Sequence, residues 1–249
     1  MNLLWVSANR LGFELLKSSQ NIIPKNTTIL TLSKNSTTVM YDGVDTSSWD
    51  KFGLPVHRVE RISESADVIK KINPDIVIMC GWRQKITREL LDIPRMGWIG
   101  FHPTMLPKGR GSAPIINSIL KGWSSSGLTM FYLTENLDDG DIIGQQPFKI
   151  DKNDHASDVY KKVIESGKNL TSMYFPMLFE GQAPRIAQNE EEATFFDKPL
   201  LRNNMIDLEF DSSETIYRKI KAFSKPYNGA FIRNGKKKII IWRGQVDSL

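Results

Sequence analysis

The chain has 249 residues, 40% of them hydrophobic and 24% charged, which is room for one large soluble domain or one domain with a small appendage. Its net charge of +5 comes from scattered lysines and arginines, with Lys236-Lys237-Lys238 the densest run. That falls short of the basic stripe expected of a nucleic-acid binder, so no nucleic-acid partner is expected, and no apolar stretch nears the roughly 20 residues needed to span a bilayer.

The opening MNLLWVSANRLGFELL has no basic segment ahead of its apolar residues, and polar Asn9 and Arg10 interrupt it. It reads as a first buried strand and not as a secretion signal. Cys80 is the one cysteine, inside an apolar run, and reads as a buried structural thiol. These features point to the cytoplasm.

In chain order, strands are expected at Leu3–Ser7, Thr28–Leu32, Ile76–Cys80, Gly97–Phe101, Leu128–Leu133 and Pro147–Ile150. Between them, helical patterns fit Gly12–Ser18, Ser63–Ile72, Arg88–Leu91, Pro114–Leu120 and Asp158–Phe179. In the last, Val159, Val163, Leu170, Tyr174, Met177 and Leu178 fall near one face. Strands alternating with helices predict an α/β fold: a mostly parallel, Rossmann-like sheet with helices on both faces, over residues 1–181. Beyond Gly181, periodicity fades, and residues 182–204 read as a linker wrapping the domain. A short helix, Ser213–Phe223, and a hairpin folded at Asn234-Gly235 complete a small C-terminal subdomain over residues 182–249. That tail is too small for a rich core of its own and should dock on the main domain. Apolar Ile239–Trp242 is equally consistent with such docking and with pairing to a second subunit as a homodimer.

The informative stretch runs from Gly97 to Ile142. A short apolar strand delivers His102 into a loop, Pro103 to Gly111, that holds two prolines, two glycines and the cations Lys108 and Arg110. In such sheets ligands gather beyond the carboxyl ends of the strands, where His102 is placed. Pro103 keeps the histidine extended, and an imidazole there can take a proton near neutral pH. Thr104 offers a hydroxyl beside it, while Lys108 and Arg110 could meet phosphate or carboxylate or simply face solvent. His57 and His155 lack such surroundings and read as histidines that bond nearby backbone. Asp138 follows His102 by 36 residues in the turn Leu137-Asp138-Asp139-Gly140-Asp141. Alone the turn reads as a surface feature; paired with His102, its carboxylate could hold the imidazole and raise its basicity. No EF-hand pattern and no second histidine at ligand spacing accompanies it, so no metal is expected.

Taken together, His102-Pro103-Thr104-Met105-Leu106-Pro107, Arg110-Gly111 and Pro114 resemble the His-x-Ser-Leu-Leu-Pro-x-x-Arg-Gly-x-x-Pro of the folate-dependent formyltransferases, the family of methionyl-tRNA formyltransferase. Leu137 to Asp141 resembles that family's Leu-Asp-x-Gly-Asp. Gly81-Trp82-Arg83-Gln84 and Ile93-Pro94 stand where the family has its pterin-binding loop and the lead into its catalytic strand. Ile206-Asp207, Tyr217–Lys221 and Pro226-Tyr227-Asn228-Gly229-Ala230-Phe231 resemble the tails of sugar N-formyltransferases. The resemblance implies N10-formyltetrahydrofolate as donor, His102 and Asp138 as the catalytic pair, and a pterin held around Met79, Gly81, Trp82, Arg83, Leu137, Asp139 and Asp141. It also implies a nucleotide-linked (UDP or dTDP) amino deoxysugar as acceptor, for surface-glycan synthesis, because the chain has a helix and hairpin where tRNA formylation would call for a full second barrel. Thr104, Lys108, Arg110 and Tyr227 become candidate substrate contacts, Tyr227 against a base and Arg185, Arg218 or Lys225 near the diphosphate. Trp49, Trp98 and Trp123 read as packing residues. One departure stands out: Gly100 takes the place of the family's asparagine at the substrate, an amide whose oxyanion contact would be worth roughly 3 kcal/mol. Other readings are formylation of another small amine, hydrolysis of formyl-folate, or an inactive module that binds folate or nucleotide sugar.

Overall fold

Four successive apolar residues, Leu3 to Val6, are all fully buried in strand β1 (Asn2–Ser7), as a parallel strand covered on both faces requires. In β4 (Ile76–Cys80) all but the partly buried Met79 are fully buried, while β2 (Asn26–Leu32) and β5 (Trp98–His102) run alongside. The computed structural model describes residues 1–198 and 201–247. With β3 (Val56–Val59), β7 (Ser125–Tyr132) and β8 (Ile142–Lys149), these strands form one seven-stranded sheet in the order β3-β2-β1-β4-β5-β7-β8. The first five pair in parallel; β7 and β8 are antiparallel. The fold is α/β with a mostly parallel sheet and a small C-terminal hairpin, as expected.

Helices cover both faces. On one side, α1 (Arg10–Ser19), α4 (Pro114–Leu120) and α5 (Ala156–Phe179) bury Trp5, Ile78, Ile99 and Phe101. On the other, α2 (Ala66–Ile72) and α3 (Arg88–Leu91) cover Leu4, Val6, Val77 and Trp98. Because side chains alternate along a strand, β5 sends Ile99 and Phe101 one way and Trp98, Gly100 and His102 the other. In α5 the buried face includes Phe175, which meets Trp5 edge-on at 6.1 Å, whereas Met177, expected to be inward, is exposed.

Several short elements are absent from the sequence expectations. A 3-10 helix, Thr46–Phe52, buries Trp49 against Phe13, and β3 adds an edge strand with exposed His57 and Arg58 between two half-buried valines. In the tail, α6 (Ser213–Phe223) places Ala222 and Phe223 in the main core. The hairpin pairs β10 (Ala230–Asn234) with β11 (Lys237–Ile241), so its two-residue turn is Gly235-Lys236, one residue later than expected. Gly235 has φ +60, and a glycine is needed at the first central position of such a turn. No helix among the described residues is long and apolar enough to cross a membrane.

The Ser212 hydroxyl accepts a hydrogen bond from the Thr215 N–H and caps α6. Ser212→Ala is expected to cost about 1 kcal/mol, read as a lower urea midpoint at unchanged slope.

Candidate active site

His102 ends β5 and is only 6% exposed. Its Nε2 lies 2.7 Å from the carbonyl oxygen of Gly109, which can only accept, so this nitrogen carries a proton and donates it. The other ring nitrogen, Nδ1, faces Asp138 Oδ2 at 3.5 Å. The Gly109 carbonyl thus anchors the ring through Nε2, and the Asp138 carboxylate faces its other nitrogen. Asp138 Oδ2 is itself fixed by the Gly111 N–H at 2.8 Å, and the residue has φ +54, a left-handed conformation that aspartate tolerates better than most residues.

The loop after His102 is locked by the segment that follows α5. The short strand β6 (Arg110–Gly111) pairs in parallel with β9 (Phe195–Phe196). A Cβ at Gly111 would lie 2.5 Å from the Phe196 carbonyl oxygen, so only glycine admits this approach. The Gly109 N–H donates to Thr194 Oγ1 and the Arg110 N–H to the Thr194 carbonyl. Arg110, expected at the substrate, is buried: its guanidinium donates to Gln188 and to both carboxylate oxygens of Glu190, at 2.9 and 2.6 Å. Four of its five N–H donors are thus engaged inside the chain, and it holds the Glu190 carboxyl below its usual range. Nothing in the sequence marked Gln188; the acidic run Glu190-Glu191-Glu192 was the available hint of a partner for Arg110.

Thr104 is fully buried, and its hydroxyl has no hydrogen-bond partner among the described residues. Lys108 is exposed. Met79 and Trp82 pack with Leu133 in the cluster that includes Trp98. Gly81 closes over Asn9, while Arg83 turns outward to the Val39 carbonyl and the Tyr41 ring. Leu137 is exposed; Asp139 accepts from Thr134 and Asn136, and Asp141 from Arg185 at 3.4 Å. Asp139, Gly140, Asp141 and Arg185 rim a cavity of about 280 Å³ floored by Trp98, Tyr132 and Leu133. Tyr227 meets Tyr41 edge-on at 6.0 Å, and burial pushes its phenol pKa up. Arg218 pairs with Glu214, Lys225 lies over the Trp242 ring, and Arg185 stacks on Tyr132. His57 is exposed on β3, and His155 stands at the start of α5 with its ring against the Asn153 carbonyl. Trp49 and Trp98 are buried, and Trp123 packs on Phe196. Cys80 is buried, which pushes its thiol pKa well up. No group of three or more His, Cys, Asp or Glu positioned to hold a metal occurs among the described residues.

The model of the family described as formyl transferase matches residues 17–173. The chain belongs to the formyl transferase family. It is 31% identical over 198 residues to a methionyl-tRNA formyltransferase of Bacillus thuringiensis, covering 79% of this chain and 62% of that protein. It is 30% identical over 198 residues to the bifunctional polymyxin resistance protein ArnA of Wigglesworthia glossinidia brevipalpis, covering 79% of this chain and 30% of that one. The chain thus spans less than two thirds of the length of these curated relatives. Its fold matches a sugar N-formyltransferase from Shewanella at TM-score 0.77 and 20% identity, covering 100% of this chain and 99% of that one. It also matches an N-formyltransferase of Helicobacter canadensis, crystallised with folinic acid and dTDP-3-aminofucose, at TM-score 0.74 and 20% identity over 96% and 86% of the two chains.

Against the formyl transferase pattern, Gly100 acquires a structural reason. A Cβ there would lie 2.5 Å from Leu133 Cδ2 and 3.2 Å from both Leu133 Cγ and Phe131 Cε1. Leu133 fills the space, together with Leu106, Phe131 and Ile142, so an apolar cluster stands where the family's amide would project.

Proposed function

We propose that this chain transfers a formyl group from formyltetrahydrofolate to the amine of a nucleotide-linked (UDP or dTDP) amino deoxysugar, in the cytoplasm, for surface-glycan synthesis. The observation that carries the chemistry is the facing of His102 Nδ1 and Asp138 Oδ2 at 3.5 Å, each side chain anchored by its other contact. The cavity beside the Asp139–Asp141 turn fits the pteridine of a folate: Trp98, Tyr132 and Leu133 suit a flat ring, and polar groups at the rim suit its donors and acceptors. Asp139 and Asp141 line this cavity, while Met79, Gly81, Trp82 and Leu137 lie outside its lining and are proposed to meet other parts of the folate.

When bound, formyltetrahydrofolate supplies the electrophilic formyl carbon and leaves as tetrahydrofolate. The acceptor nitrogen forms the new C–N bond as the bond to the folate nitrogen breaks. His102 Nδ1 takes the proton that the amine loses and can return it to the departing folate nitrogen, so no other reactant is needed. The Gly109 carbonyl keeps the Nε2 proton in place throughout, and Asp138 stabilises the ring while it is charged.

The sugar acceptor is supported by the switch point at the carboxyl ends of β1 and β4, where the strand order reverses and ligands of such sheets gather. Tyr41, Tyr227 and Arg83 lie there, two aromatic faces and a cation suited to a nucleotide. The apolar cluster over Gly100 favours a second reading, a binding module for folate or nucleotide sugar without turnover. Incubation with formyltetrahydrofolate and a panel of UDP- and dTDP-linked amino sugars, other small amines and aminoacylated initiator tRNA distinguishes these. An N-formyl nucleotide sugar is expected; formylated tRNA alone, or bound ligands without product, would overturn the reading.

A further inference from the structure

Gln188 joins two parts of the site through a single amide. Its Nε2 donates to the carbonyls of Asp138 and Gly140, at 2.9 and 2.8 Å. Its Oε1 accepts from Arg110 Nε and Nη2, at 3.1 and 2.8 Å. Both donors and both acceptor positions of the amide are thus in use. Arg110 is 2% exposed and is held from its far side by Glu190, so it is a fixed point in the loop that also carries Gly109 and Gly111. The turn carrying Asp138 is tied at its two ends, by the Gly111 N–H to the Asp138 carboxylate and by the Tyr132 N–H to the Asp141 carbonyl, and Gln188 holds backbone carbonyls of Asp138 and Gly140. Thr134 and Asn136 act on Asp139 from within the same connection, and Arg185 reaches Asp141 only at 3.4 Å. Asp138 must keep its left-handed φ of +54 for its carboxylate to face the histidine.

We propose that Gln188 is a positioning residue, which ties the backbone of the Asp138 turn to buried Arg110 and so holds Asp138 Oδ2 opposite His102 Nδ1. The segment after α5 then forms part of the catalytic apparatus without touching substrate. The consequence for rate rests on the formyl-transfer reading above; the structural part does not.

Two variants separate the possible roles. Gln188→Met removes all four hydrogen bonds at similar size, whereas Gln188→Glu keeps the acceptor for Arg110 and loses both donors to the turn. The structural readout is amide hydrogen exchange within the triplet Gly109 to Gly111. The Gly111 N–H bonds the Asp138 carboxylate, while the N–H groups of Gly109 and Arg110 bond Thr194. In both variants Gly111 is expected to exchange about tenfold faster, with Gly109 and Arg110 unchanged. In the transfer assay kcat is expected to fall by about ten- to a hundredfold, with KM for donor and acceptor held within about twofold. Unaltered Gly111 exchange in both variants, or loss confined to Gln188→Met, would overturn the proposal, since Gln188 would then serve only to solvate Arg110. If the wild type transfers no formyl group, the function reading fails, and the exchange comparison still decides whether Gln188 holds the turn.

Discussion

Asparagine in place of His102 is expected to lower kcat for formyl transfer by about a hundredfold to ten-thousandfold while the chain stays folded. The geometry explains why the two effects separate. The ring's structural contact is one hydrogen bond from Nε2 to the Gly109 carbonyl, and an asparagine amide also has N–H groups to offer. What the amide lacks is a basic nitrogen where Nδ1 faces Asp138. Steady-state rates beside a thermal melt check this. A variant that keeps most of its rate would mean that the proton moves by another route, through Asp138 or water. A variant that loses rate and fold together would say nothing of chemistry, and His102→Gln would then serve as the second probe.

Gly100→Asn, which places the family's amide in its expected position, is expected to destabilise the protein and not to activate it. Leu133 would have to leave a cluster shared with Leu106, Phe131 and Ile142, a crowding that typically costs about 1–3 kcal/mol. A buried amide without partners adds about 1–3 kcal/mol more. Together, about 2–6 kcal/mol would lower Tm by roughly 4–24 °C for a chain of this size. Combining it with Leu133→Ala removes the crowding, so the double variant is expected to be more stable than the sum of its parts. An unchanged melting temperature for Gly100→Asn would show that Leu133 moves aside freely, and the apolar cluster could not then account for the missing amide.

The sequence made some of this legible and hid the rest for identifiable reasons. The strand to His102, the proline- and glycine-rich loop and the Asp138 turn are local patterns, each with its own turn or strand chemistry, and the structure brings them together. Trp5, Ile78 and Ile99 could be read as core because runs of buried residues mark strands covered on both faces. The four-residue strand Val56–Val59 follows Pro55 and presents two polar residues outward, too short a pattern to separate from loop. Arg110 looked like a substrate cation because exposure is the ordinary state of arginine; its burial depends on Gln188 and Glu190, 78 and 80 residues away. Contacts at that separation leave no periodicity, and the segment carrying them forms only short elements, the 3-10 turn Glu190–Glu192 and the two residues of β9. The role of Gly109 in holding the histidine was hidden likewise, since a backbone carbonyl has no signature in sequence.

The account stands most directly on tetrahydrofolate release from formyltetrahydrofolate as a nucleotide-linked amino sugar is titrated in. The geometry of His102 and Asp138 predicts release that rises with acceptor, saturates, and yields one N-formyl sugar for each tetrahydrofolate. Release that ignores every amine would identify a hydrolase, and bound folate with no release at all would contradict catalysis at this site.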